Sequence, residues 1–148
     1  MAQHIEQHDV VLHAGDWGDI RVYDQIAALK PVIGVYGNID GQDVRMENPK
    51  VQQFTIERCV VLMTHIGGYP GKYNPEFAAR IKRVKPHIVI TGHSHILKVM
   101  YDKTLEHLHI NPGAIGNHGF HHVRTMVSIE IDHDRISNAR VIELKKFG

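Results

Sequence analysis

Four short apolar runs, each running straight into a side chain that can hold a metal ion, constrain this chain more than any other feature of its sequence. The runs are Val10–Leu12, Val32–Tyr36, Val60–Met63 and His87–Thr91, and their β-branched composition and polar or glycine endings predict buried strands. VVLHAGD delivers Asp16, VIGVYGN delivers Asn38, VVLMTH delivers His65, and IVITGHSH delivers His93 and His95. In α/β sheets ligands sit beyond the carboxyl ends of the strands, so residues far apart in sequence meet there. Taken singly, Asp16 or Asn38 would read as a turn-forming residue, and any one histidine as a surface or satisfied core imidazole. Five such residues at successive strand ends predict a cluster. Gly15, Gly37 and Gly92 precede three of them, which would let the backbone turn sharply where the side chain projects.

The segments between the strands complete the expected architecture. Ile20–Lys30 carries apolar residues at roughly helical spacing, with Asp19 as N-cap and Pro31 as stop. Asn74, Pro75 and Glu76 open a second helix through Phe77, Ile81 and Val84, closed by Pro86. From Leu97 to Leu144 the pattern turns to alternation, as in TMVSIEI after Arg124, which predicts antiparallel strands. The sum is a sandwich of two sheets with helices outside.

A length of 148 residues suits one domain, read here as 1–148. Seventeen Lys and Arg against 16 Asp and Glu give no polybasic face, so nucleic acid is not expected as a partner except as a substrate. Thirteen histidines, in contrast, make imidazole ligation or acid–base work the first chemistry to look for. The single Cys59 cannot form an internal disulfide or a thiolate cage, and reads as a small buried hydrophobe in a cytoplasmic protein. One carboxylate, one amide and three imidazoles suit Mn, Fe, Zn or Ni better than Ca. The N-terminus has no secretory pattern, and the longest purely apolar run, Cys59–Met63, is far below the roughly 20 residues of a membrane span, so no membrane association is expected.

The ordered set Gly15-Asp16, Gly37-Asn38-Ile39-Asp40, Thr64-His65-Ile66-Gly67, Gly92-His93-Ser94-His95 and Asn111-Pro112-Gly113 resembles the calcineurin-like metallophosphoesterases, in particular the small bacterial and archaeal phosphodiesterases. The resemblance implies an α/β fold, a four-layer α/β-β/α sandwich of two mixed sheets flanked by helices. It also implies hydrolysis of phosphodiesters, or of phosphomonoesters, through a metal-activated bridging water. Asp16 would bridge two divalent metals; Asn38, His65 and His93 would complete one site and His95 would belong to the other. Asn38 and His65 are the catalytic residues so implied, Asp40 would orient a neighbouring histidine, and the substrate would be a small phosphoester.

Two departures accompany the resemblance. The family opens with a strand ending in Asp-x-His, and no such motif precedes Asp16, so the first strand is expected to be missing and the first metal site incomplete, with Asp16 and His95 alone. If Met1 is the true start, a weakly held first metal, a compensating contact such as a homodimer, or both are expected. Ile39 stands where many relatives carry an acid histidine after the Asn, so no proton donor comes from that position. His118, His121 and His122 follow the Asn-Pro-Gly turn and would bind the substrate's phosphate, supply the acid, or form an exposed loop. Trp17 would line an aromatic-ester pocket or pack the loop beside Asp16, while Arg80, Lys82, Arg83 and Lys85 read as a solvated helix face and His13, His107 and His109 as structural. The alternative function is a catalytically weak or inactive scaffold, since the same fold serves in the retromer complex.

Overall fold

The four ligand-bearing strands and the helices capped by Asp19 and Asn74 form where the sequence patterns place them, in a computed structural model that describes residues 1–117, 119 and 121–145. In chain order the elements are α1 (Ala2–Glu6), β1 (Val11–His13), α2 (Ile20–Ala27), β2 (Val32–Gly34), α3 (Gln42–Glu47), β3 (Val51–Ile56), β4 (Cys59–Thr64), β5 (Gly68–Tyr69) and β6 (Lys72–Tyr73). They continue with α4 (Pro75–Val84), β7 (Ile88–Ile90), β8 (Lys98–Asp102), β9 (His107–Asn111), β10 (Arg124–Asp132) and β11 (Arg135–Leu144). The caps are those the sequence predicts. Asp19 accepts the Arg21 N–H at the start of α2, and Asn74 accepts the N–H groups of Glu76 and Phe77 at the start of α4. Lys85, at φ 53°, ends α4 in a left-handed conformation just before Pro86.

One sheet has five strands in the order β3-β4-β7-β9-β8, with β4, β7 and β9 parallel and the two outer strands antiparallel to their neighbours. The facing layer is divided into the parallel pair β1-β2 and the antiparallel pair β10-β11. Ala14 and Val35, at the ends of β1 and β2, pack on Val61, Met63, Ile88, Ile90 and Ile110 of the five-stranded sheet, while Val127, Ile129 and Ile131 of β10 pack on the same core. Outside β1-β2, Trp17 and Val44 join Ile5 and Ile26 of the N-terminal helices. Outside the large sheet, Phe77 and Ile81 of α4 cover Leu62 and Val89. Helix, sheet, sheet and helix therefore make the four layers of the expected sandwich.

The alternating second half forms the antiparallel pairs expected of it, β8-β9 and β10-β11, but β8 and β9 lie in the large sheet, where β9 also runs parallel to β7. Alternation reports the two faces of a strand, not the direction of its neighbour. Among the described residues, no helix is long and apolar enough to cross a membrane.

Candidate metal centre

The turns after β1, β2, β4 and β7 lie at one edge of the sandwich and bring Asp16, Asn38, His65 and His93 together. One ligand atom from each of Asp16, His65 and His93 lies within 4.8 Å of the others. His65 is buried, Asp16 half-buried and His93 exposed, so the group opens to solvent on one side. Asn38 Oδ1 stands 3.0 Å from His65 Nε2 and 3.1 Å from His93 Nδ1, and Asp16 Oδ2 stands 3.2 Å from His65 Nε2.

The protonation pattern can be traced from the backbone. His65 Nδ1 lies 2.6 Å from the carbonyl oxygen of Ala14, which can only accept, so Nδ1–H donates and in the neutral ring Nε2 keeps its lone pair. That lone pair faces a carboxylate oxygen and an amide oxygen. Acceptors aimed at one another repel unless a proton or a cation lies between them, and a carboxylate, a carbonyl and imidazole lone pairs are the donor set of a borderline divalent cation. The residues present therefore fit such an ion. The Ala14 carbonyl fixes the tautomer and orientation of His65, as the partner of a ligating imidazole does.

Backbone geometry at this edge is unusual. Asp16, His93 and His95 all have positive φ, at 60°, 68° and 61°. For residues with a Cβ this conformation costs roughly 1–2 kcal/mol each, and such cost concentrates at functional sites. Glycine serves two purposes here. Gly15, at φ 95°, makes the turn the sequence suggests, but Gly37 is there for close approach, since a Cβ on it would collide with the carboxylate and amide of Asp16. Asp16 Oδ1 also accepts the Ile39 N–H at 3.2 Å, which turns Oδ2 toward His65.

Asp40 does not orient a histidine. Its buried carboxylate accepts the N–H groups of Gly18 at 2.9 Å and Gly37 at 2.8 Å, tying the Asp16 turn to the Asn38 turn. Trp17 packs rather than lines a pocket: it is buried, donates Nε1–H to the Val35 carbonyl and stacks on His13 with ring centroids 3.5 Å apart. Burial lowers the His13 pKa to about 4, with Asp40 opposing and His65 reinforcing the shift. Burial likewise raises the Cys59 thiol. One positioning residue escaped the sequence reading. Asn111, at the end of β9, donates its amide to the Gly92 carbonyl and to Ser94 Oγ, each at 3.1 Å, and so holds the loop carrying His93 and His95. The Asn-Pro-Gly motif was its signal.

His95 stands beside this group rather than within it. Its ring meets that of His121 at right angles, with centroids 5.6 Å apart. Burial, followed by the proximity of His121, lowers the His95 pKa, with Asp16 opposing; the neutral form that results is the one able to ligate. His118 lies outside the described residues.

Three comparisons bear on this arrangement. The chain is 28% identical over 108 residues to a protein of Methanothermobacter thermautotrophicus named "Probable metallophosphoesterase", which covers 72% of this chain and 60% of that one; this chain thus spans well under two thirds of that relative. Its fold is similar to that of an archaeal phosphodiesterase, with a TM-score of 0.72, 24% identity and coverage of 95% and 86%. It is equally similar to zinc-complexed Vps29 from Entamoeba histolytica, at TM-score 0.72, 18% identity and coverage of 96% and 86%. Residues 1–134 match the calcineurin-like phosphoesterase superfamily domain, so the chain belongs to that family.

Proposed function

We infer that this chain is a metal-dependent phosphoesterase acting on small phosphodiesters, with Asp16, Asn38, His65 and His93 as its principal ligands. The observation that carries the reading is the convergence of four acceptor atoms, from four separate strand ends, on one solvent-open volume. A divalent cation held there supplies Lewis acidity toward a phosphoryl oxygen and acidifies water. The chain's own part is positioning. Ala14 fixes the His65 ring, the Ile39 N–H fixes the Asp16 carboxylate, and Asp40 locks the two turns together. Asn38 is exposed, so that with its amide oxygen on the ion its amide N–H would be free to reach a phosphate oxygen. With Ile39 in place of an acid histidine, substrates with good leaving groups are favoured.

The direct test is hydrolysis of a chromogenic bis-aryl phosphodiester by metal-stripped protein before and after addition of Mn²⁺, Ni²⁺ or Zn²⁺. Turnover that requires the added ion supports the enzyme; a folded, metal-loaded protein without turnover on di- or monoester sinks it.

A second reading, a binding module, is favoured by one observation. Ile39, Ile66 and Ile96 each directly follow a candidate ligand and are 63%, 51% and 64% exposed, giving the site an apolar rim. In the enzyme this rim contacts the ester groups of the substrate. Ile39→Ser is then expected to raise KM for the bis-aryl ester about fivefold, roughly 1 kcal/mol of apolar contact, with kcat unchanged. Steady-state kinetics with an unchanged KM would remove the rim from substrate recognition.

A further inference from the structure

The loop after β9 brings His121 against His95 of the turn after β7, making a second pair of imidazoles. His121 Nε2 lies 2.8 Å from the Gly116 carbonyl oxygen. Because that oxygen can only accept, Nε2–H donates and the lone pair of the neutral ring resides on Nδ1. Ligating histidines use this same arrangement, with the far nitrogen donating to a backbone carbonyl. His95 Nδ1 and His121 Nδ1 lie 2.7 Å and 3.0 Å from the point a Cβ on Gly119 would occupy, so both face one small volume. Gly119, at φ 119°, is the residue that keeps a side chain from filling it.

The spacing of the rings is that of a shared ion. Two imidazoles bound at about 2 Å to one tetrahedral cation hold their ring centroids about 5 Å apart. His95 and His121 are separated by 5.6 Å at an interplanar angle of 89°, and the His65–His93 pair in the first group by 5.2 Å at 76°.

We propose that His121 is a metal ligand which, with His95, builds a second divalent-cation position beside the Asp16, His65 and His93 group. This rests on the metal-dependent reading given above and adds to it a ligand from the loop following the Asn-Pro-Gly turn. Two imidazoles without a thiolate select Zn²⁺, Ni²⁺ or Co²⁺ over Ca²⁺ or Mg²⁺. His121 is thereby taken out of the role of phosphate binder or proton donor.

The test uses the full chain, stripped of metal, reloaded with Co²⁺ and freed of excess ion by gel filtration, with metal per chain measured by mass spectrometry. Two ions are expected in the wild type, one in His121→Ala and one in His65→Ala. A wild type holding a single ion, or His121→Ala retaining two, overturns the proposal. Because alanine could loosen the loop, His121→Cys serves as the ligand-preserving variant: it should keep two ions and gain a thiolate-to-cobalt charge-transfer band in the near ultraviolet. Absence of that band, with Cys59 as the background control in the wild type, also overturns it. Turnover is scored separately, so an inactive protein that loses one ion with His121→Ala upholds the ligand while the phosphoesterase reading fails.

Discussion

Gly37→Ala is expected to lower metal-dependent turnover by about 100-fold or more, approaching the complete loss expected of Asp16→Ala. Gly37 touches no substrate, and the effect is one of displacement. A methyl group there enters the space of Asp16 Oδ1 and of the Asp16 backbone nitrogen, so the carboxylate must move. A backbone amide cannot yield as a flexible side-chain end does, and Asp16 is already held in a left-handed conformation with little room to adjust. Misplacement of a positioned group by about 1 Å is enough to cost roughly 10²-fold. Kinetics and metal content of the two variants, compared side by side, check this. A Gly37→Ala protein with wild-type turnover would mean that Asp16 is not a ligand in its present place.

The metal-free protein is expected to lose several kcal/mol of stability between pH 7 and pH 4.5. His109 is fully buried, and its pKa falls to about 4 through burial first, then through His107 and Lys98, with Asp102 opposing. His107 is lowered in the same direction by burial, again against Asp102. The two rings share the Tyr73 hydroxyl, at 2.8 Å from His107 Nε2 and 2.7 Å from His109 Nδ1. The hydroxyl donates its one proton to one ring and accepts an N–H from the other, an arrangement suited to neutral imidazoles. The sign follows from which state binds protons. Above pH 6.5 neither state protonates His109; below it the unfolded chain takes up a proton that the folded chain refuses until about pH 4, so stability falls through that window. At pH 4.5 the loss from His109 alone is about 2.5 kcal/mol, against a total of roughly 5–15 kcal/mol for a domain of this kind. Urea unfolding at pH 7.5 and 4.5 measures it, and His109→Gln should show a smaller difference between the two. Equal differences in variant and wild type would show that His109 titrates normally.

Much of this molecule can be read from its residues, for identifiable reasons. Strand ends that carry ligands stand out because an apolar run and a polar terminus are both local patterns, and α2 and α4 announce themselves through Asp19 and Asn74. β3 does not, because Gln52 and Gln53 interrupt its apolar residues, and the short α1 and α3 offer too few turns for a period to emerge. Within the site, side chains were legible and backbone partners were not. Nothing in the sequence marks the Ala14 carbonyl as the acceptor that turns His65, since every residue has one. Asp40 was assigned to the wrong partner for the same reason: its two glycine N–H donors leave no trace in residue type. The meeting of His95 and His121 depends on the path of a long loop, which neither periodicity nor spacing records.

The division of the facing layer into β1-β2 and β10-β11 bears on how the protein breathes. Asp16 and Asn38 extend from three-residue strands, each with one ladder partner, whereas His65 and His93 extend from β4 and β7 in the interior of five strands. The cluster thus joins a firmly laddered half to a sparsely laddered one, and an ion bound across it acts as a further tie between sheets that meet through apolar contact and isolated hydrogen bonds such as His65 to Ala14 and Gln52 to Gly34. Binding energy of that kind is felt where local opening is easiest. Amide exchange should therefore slow on metal loading along residues 11–16 and 32–38, while the centre of the large sheet keeps the protection it already has.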